Sequence, residues 1–494
     1  MSDLPHYSLY IDDAFTEGSD AQVMTTINPA TGKDWASFAC ASPDDVNRAV
    51  SAARRALNGP WGQMTATERG KMMMRLADLI AENAEALGEI ETTDSGKLAA
   101  ETKMQTAYVA DYYRYYAGFA DKIEGATLPI DKPDMHVFTT REPIGVVAAI
   151  APWNAQMFLT ATKLGPALAA GCTAVIKVSE VAPCALLEFA KLINKAGFPP
   201  GVISVITGDA ENCAIPLTSH PDIDRIAFTG GEETARHVVR NSAESFAVTT
   251  LELGGKSPII VFEDANIDSA VNGLIAGNFG ASGQSCVAGS RGLVHASVKE
   301  EIIARISERA KDIVIGDPLD PTTHVGPLCT QAQVNKIEAV LKRAQDQGAK
   351  IIFGGTRPKG REENGHYFLP TLVDCPNPTI ETLLVEMFGP VMSLLSFETE
   401  EEAITLANDS RYGLGSGVFT DNLARAHRVS RQIRSGICWI NSYRAISPIA
   451  PFGGFNQSGY AREAGWEAVL DYTRTRTTWI NYSDSPMQNP FVMR

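Results

Sequence analysis

The 494-residue chain reads as α/β: two doubly wound parallel-sheet domains plus a small β arm. Three observations carry that reading. Short, continuous apolar runs alternate with helical patterns between residues 143 and 253, and a second series of the same kind begins at Pro258. Two further β-prone stretches, 123–142 and 474–482, belong to neither series. Strands that are apolar on both faces and separated by helices pack as parallel sheets covered on two sides.

The elements follow in order. Residues 44–118 are helical, with Asp44 or Asp45 expected to cap a helix over 46–57. Thr65-Ala-Thr-Glu68 is a capping pattern before a helix over 69–83. Helices over 84–92 and 97–119 complete the group, and the stripe Tyr108, Tyr112, Tyr113, Tyr115, Tyr116 reads as packing. The first sheet takes strands at 144–150, 174–178, 202–206, 225–228 and 248–251, with helices over 157–170, 183–196, 210–219 and 232–243. The second takes strands at 258–262, 292–295, 351–353 and 391–397, with helices over 267–279 and 298–313. The two leftover stretches would be exposed edges unless paired, and an arm completed by another subunit is one solution.

Composition narrows the function classes. A net charge of -15 argues against nucleic acid and anionic membranes as main partners. The eight cysteines include no CxxC pair and the eight histidines show no ligand spacing, so neither a disulfide framework nor a metal site is expected. The acidic start MSDLPHYSLYIDD has no basic n-region or apolar h-region. No apolar run approaches the ~20 residues needed to span a bilayer. The chain is expected to be cytoplasmic.

Cys286 stands in Gly283-Gln-Ser-Cys286-Val-Ala-Gly, a turn of small residues after the helix that Gly280 and Gly283 break. A lone cysteine is more often a packed thiol than a nucleophile; the remaining motifs reverse that. Glu252 ends the strand of Leu251-Glu-Leu-Gly-Gly255 among apolar residues, where burial would raise its pKa toward the range of a general base. His295, the nearest histidine in sequence, falls on a predicted strand, which gives a Cys–His hydrolase little support. Phe228-Thr-Gly-Gly231 lies between a strand and a helix whose N-terminus can hold a diphosphate, against competition from two acidic residues in its first turn. Lys177-Val-Ser-Glu180 offers an ammonium and a carboxylate to ribose hydroxyls. GxGxxG is absent.

Together these stretches resemble the aldehyde dehydrogenase superfamily along nearly the whole chain. The matching pieces are Pro152-Trp-Asn154, Lys177-x-Ser-Glu180, Phe228-Thr-Gly230, Leu251-Glu-Leu-Gly-Gly-Lys256, Gly283-Gln-x-Cys286, Glu386-x-Phe-Gly-Pro390 and Pro451-Phe-Gly-Gly454, in family order.

The resemblance implies a Rossmann-like cofactor-binding domain from 1–122 and 143–253, to which 458–473 returns, and a catalytic domain from 254–457. The arm, 123–142 and 474–494, would join subunits into a homodimer or homotetramer. Cys286 would be the nucleophile and Glu252 the base for the deacylating water. Asn154 and the Cys286 N–H would form the oxyanion hole, and Lys163 a proton relay. NAD, with NADP less favoured, would be held by Trp153, Lys177, Glu180, Gly208, Phe228, Gly230, Gly231, Leu253, Glu386 and Phe388. An aldehyde would enter past Met157, Phe158, Tyr443, Ile446 and Phe452, with Trp153 and Trp439 also on the wall.

Some positions depart from the family pattern. Gly231 replaces a Ser, Ala235 a Gly, Val178 a Pro, Asn456 a Lys and Ala461 a Gly. Arg474 stands where many members carry Glu or Gln, a change expected to disturb the relay through Lys163. Arg444, placed at the tunnel mouth, is either a structural residue or a reader of a substrate carboxylate. A cysteine acyl-transferase or hydrolase without redox chemistry would need Cys286 but not Lys177, Glu180 or Glu386, and so cofactor binding separates it from a dehydrogenase.

Overall fold

The computed structural model describes residues 4–360, 364–487 and 489–492. Positions 1–3, 361–363, 488 and 493–494, which fall in the expected first domain, second domain and arm, lie outside the described residues.

Five parallel strands form the centre of the first sheet, in the order Val248–Glu252, Arg225–Thr229, Val146–Ile150, Thr173–Val178, Ile203–Thr207. The edges correct the purely parallel expectation. Gly459–Tyr460 pairs antiparallel to Val248–Glu252, and the hairpin Leu9–Ile11 with Ala14–Thr16 closes the far side. These edge pieces run only two or three residues, too short to show a strand pattern in sequence. The central strands are buried throughout apart from Val248 and Thr249, and each buried Val or Ile contributes about 1.5–3 kcal/mol.

The second sheet has six parallel strands in the order Thr371–Asp374, Val391–Phe397, Arg291–His295, Pro258–Val261, Gly415–Phe419, Ile437–Ile440. Lys350–Phe353 adds an antiparallel edge. Gly415–Phe419 was not expected, because Gly415 and Gly417 disguise it. Both glycines sit against aromatic rings: a Cβ on Gly417 would lie 2.8 Å from the Tyr443 ring, and one on Gly415 3.1 Å from Trp439.

The arm stretches pair with each other inside one chain. Met135–Pro143 lies antiparallel to Thr473–Asn481 in continuous register, and Thr127 bridges to Phe138. Trp479, Ile480 and Tyr482 are left exposed along it.

Among the N-terminal helices, Ser42 caps Pro43–Asn58 and Asp45 completes its capping box; neither Asp44 nor Asp45 is the cap itself. Thr65 and Glu68 form the expected box on Ala66–Glu82. Tyr112, Tyr113 and Tyr116 are buried in the core beside the first sheet. In place of a helix over 210–219 stand a wide turn, Ala210–Ala214, and one α-turn, Ile215–Thr218.

Candidate active site

The helix Ile267–Asn278 is capped by Asn266, whose side chain accepts the Ser269 N–H at 2.9 Å. It delivers the chain into a tight turn in which Ala281 (φ 53°), Ser282 (φ 52°) and Gly283 (φ 72°) are all left-handed. That conformation costs about 1–2 kcal/mol for each non-glycine residue, so it persists only where neighbours hold it. Ala281 N–H donates to Glu101 Oε1 at 2.9 Å, Ser282 Oγ to the Gly326 carbonyl at 3.0 Å, and Cys329 N–H to Gln284 Oε1 at 2.8 Å. Cys286 emerges from this turn half-buried.

A cavity of about 220 Å³ brings Cys286 together with Glu252, Asn154, Leu253, Glu386 and Phe388. Glu252 is buried at the end of its strand, and neither carboxylate oxygen has a hydrogen-bond partner among the described residues. Burial, then the nearby Glu463 charge, drives it well above the carboxylate range, against the pull of Lys163 and Arg462. Gly453 backs onto it: a Cβ there would stand 2.6 Å from Glu252 Oε1. Burial, with Glu252 and Glu386 adding, pushes the Cys286 thiol up to about 12. Asn154 Nδ2 donates to the Gln284 carbonyl at 3.1 Å, which holds the amide beside the loop and leaves its second N–H available.

Lys163 is fully buried and paired with Glu463 and Thr229 Oγ1, the latter at 2.5 Å. Arg474 is exposed on the arm opposite Glu142, so its side chain takes no part in the surroundings of Lys163. The expected link between the two positions is overturned. Glu463 was missed in the sequence; the pairing of Glu252 with Gly459 across the sheet edge is what brings its segment here. Two other departures have a backbone reading. Ala461 (φ 64°) and Asn456 (φ 54°) are both left-handed, a conformation the glycine usual at position 461 adopts without steric cost.

A second cavity of about 420 Å³ shares Trp153, Gly230 and Gly231 with the first. Lys177 Nζ meets Glu180 Oε2 at 2.6 Å on its wall. Gly231 is the N-cap of Glu232–Ser242, and nothing lies within 4 Å of where its Cβ would be. Gly230 is tight instead, its Cβ position 2.5 Å from the Phe228 ring. Glu232 pairs with Arg236 and with Arg411, the latter at 3.3 Å, so its charge is compensated rather than turned on the cavity. Gly208, at φ 155°, packs against Cys213 and Ala41 and does not line the cavity. His237 and Asn241, also on the wall, were missed because their helix reads as an ordinary surface helix.

In the first cavity Glu386 Oε1 accepts the Gly255 N–H at 3.1 Å, and a Cβ on Gly254 would lie 2.1 Å from Oε2. The Phe388 ring meets Trp153 edge-on at 5.4 Å. Two joined cavities, a carboxylate on the wall of each and an open helix N-terminus between them fit a dinucleotide.

A third, smaller cavity of about 50 Å³ is walled by Phe158, Trp439, Ile446 and Phe452, as expected, together with Tyr112 and Glu463. Met157 faces the core and Tyr443 the nucleophile loop, so neither is on this wall. Arg444 Nη1 donates to the Ala276 carbonyl at 3.1 Å, near the C-terminus of the helix that precedes Cys286. Among the described residues no helix is long and apolar enough to cross a membrane.

Comparison with known proteins agrees with this geometry. The model of the aldehyde dehydrogenase family matches residues 15–478. The chain is 55% identical over 493 residues to (Z)-2-((N-methylformamido)methylene)-5-hydroxybutyrolactone dehydrogenase of Acinetobacter baylyi, covering 99% of this chain and all of that protein. Among solved structures, PnpE in complex with nicotinamide adenine dinucleotide superposes with a TM-score of 0.95 at 41% identity, over 98% of this chain and 99% of that one. The NAD+ complex of an aldehyde dehydrogenase of Bacillus cereus gives 0.94 at 38%, over 97% of each chain. The chain belongs to the aldehyde dehydrogenase family and is an enzyme that oxidises aldehydes with a nicotinamide cofactor.

Proposed function

We propose that Cys286 is the nucleophile and Glu252 the base of this oxidation. The observation that carries the assignment is a buried, partnerless carboxylate and a lone thiol in one cavity. Glu252 takes the thiol proton, and the sulfur bonds the aldehyde carbon. The oxygen, now negative, is held by the free N–H of Asn154 and by the Cys286 N–H. The nicotinamide, when bound, supplies the hydride acceptor. The acyl group left on Cys286 is a thioester; once Glu252 has given up the thiol proton, it takes another from the water that attacks the thioester, and a carboxylate leaves. Each proton left on Glu252 moves on by way of Lys163 and Glu463, whose charges act on it.

The cofactor is NAD rather than NADP, because Glu180 would accept from ribose hydroxyls and repel a 2′-phosphate. Residues 1–122, 143–253 and 458–473 hold it, 254–457 carry the nucleophile, and 123–142 with 474–494 join the subunits of a homodimer or homotetramer. The exposed Trp479, Ile480 and Tyr482 favour such a contact. The enzyme works in the cytoplasm.

The Acinetobacter relative suggests the substrate class: a 5-hydroxybutyrolactone, the ring form of a 4-oxo acid, whose opened form bears the aldehyde. Tyr112, Phe158, Trp439 and Phe452 would suit a flat, unsaturated substituent. The purified protein, given 5-hydroxybutyrolactone, butanal or benzaldehyde with NAD or NADP and followed by absorbance of the reduced cofactor, tests this. The highest kcat/KM is expected for the lactone with NAD. A preference for butanal removes the substrate class, and a preference for NADP removes the cofactor choice.

A further inference from the structure

The turn that carries Cys286 is gripped by a residue outside every cavity described above. Tyr443 follows the strand Ile437–Ile440, and its hydroxyl donates to the Val287 carbonyl at 2.9 Å, one residue past Cys286. Together with Ile259 its ring closes the space beside both arms of the turn. A Cβ on Gly277, in the helix leading in, would lie 2.9 Å from Ile259 Cδ1 and 3.1 Å from the ring, and one on Gly289, on the way out, 2.3 Å from Ile259 Cδ1 and 3.2 Å from the ring. Gly289 N–H in turn donates to the Gly277 carbonyl at 2.9 Å, closing the turn over the ring.

The neighbours of Tyr443 lock it there. Asn441 (φ 50°) accepts the Thr420 N–H and donates to the Thr420 carbonyl, both at 3.0 Å. Arg444 (φ 65°) donates to the Ala276 carbonyl. Trp439 packs on the ring at 4.8 Å between centroids. Left-handed non-glycine residues flank Tyr443 two before and one after, and such strain survives only where the surroundings over-determine it.

We infer that Tyr443 is a positioning residue: it fixes the Cys286–Val287 segment so that the thiol faces Glu252 and the Cys286 N–H faces the substrate oxygen. This rests on the assignment of Cys286 as nucleophile. It also replaces the expected place of Tyr443 on the substrate wall.

Tyr443→Phe removes the hydroxyl and leaves the ring in its seat. The readouts are the first-turnover rate constant and amplitude with NAD and 5-hydroxybutyrolactone, the rate of Cys286 alkylation by iodoacetamide, and the melting temperature. The rate constant is expected to fall roughly tenfold, since small displacements of a reacting group cost that much or more. The amplitude should stay at one reduced cofactor per chain, the alkylation rate should change with the rate constant, and KM for NAD should hold. A native rate constant overturns the inference. So does a reduced amplitude at a native rate constant, which would mark a merely structural role. If the lactone is not a substrate, alkylation alone decides: an unchanged rate with a native melting temperature sinks the idea. Cys286→Ala run alongside separates the two levels. Turnover in that variant removes the nucleophile and this inference together, whereas an inactive Cys286→Ala beside a native-like Tyr443→Phe removes this inference alone.

Discussion

Glu463 joins the Lys163 ammonium through one carboxylate oxygen and the Thr162 hydroxyl, at 2.5 Å, through the other, in a place almost closed to solvent. Buried charges are stable where they are paired and hydrogen-bonded. Lys163 and Glu463 meet both conditions, and the neighbouring Glu252 meets neither. That contrast separates a carboxylate held by partners from one that stands buried without any among the described residues.

Lys163→Met should therefore destabilise the fold strongly, by about 3–5 kcal/mol, because it leaves Glu463 buried and unpaired. Chemical denaturation of the variant beside the parent measures this. A change below about 1 kcal/mol would mean that water compensates Glu463 and the pair is not structural.

Glu252→Gln should stabilise the fold, increasingly so as pH rises. With the folded-state pKa raised above the unfolded value of 4.5, the parent loses stability once pH passes that value, and the loss levels off only above the folded pKa. Glutamine carries no such penalty. Melting curves from pH 4 to 8 should show the variant gaining by about 1–3 °C over the parent toward the alkaline end. A gain confined to acid pH would contradict the raised pKa.

Two glycines beside the proposed cofactor should behave oppositely. Gly254→Ala puts a Cβ 2.1 Å from Glu386 Oε2 and must break the bond from Gly255 N–H, so KM for NAD should rise by ~10-fold or more. Gly231→Ala meets open space at φ −75° and should leave it nearly unchanged. Equal effects would mean that Glu386 does not hold the cofactor.

Arg444→Ala should alter oxidation of 4-oxobutanoate and of butanal alike, because the guanidinium is engaged by a helix carbonyl and does not line the third cavity. A KM increase of ~10-fold for the carboxylate substrate alone would restore a charge-reading role.

Much of this was legible in the sequence. Cys286, Glu252, Asn154 and Glu386 converge from segments up to 232 residues apart, as their motifs implied, and the five central strands of the first sheet fall where continuous apolar runs predicted them. What was not legible depended on pairing between distant segments. Glu463 reaches its place because a two-residue strand pairs Gly459 with Glu252, a contact with no local signature. Gly415–Phe419 was hidden because the Tyr443 ring and Trp439 lie close against glycines where a strand normally shows branched residues. Tyr112 is buried, as its place in the aromatic stripe implies, and also walls the third cavity, a double role that helical spacing cannot reveal.

The central claim is an acyl group on Cys286 that only Glu252 releases. Its most direct test is the intact mass of Glu252→Gln after mixing with NAD and 5-hydroxybutyrolactone, followed by peptide mapping. One equivalent of reduced cofactor per chain, a steady rate lowered by ~100-fold or more, and a stable adduct on the peptide containing Cys286 are expected. Native steady turnover with no adduct, or an adduct on any other residue, would contradict it.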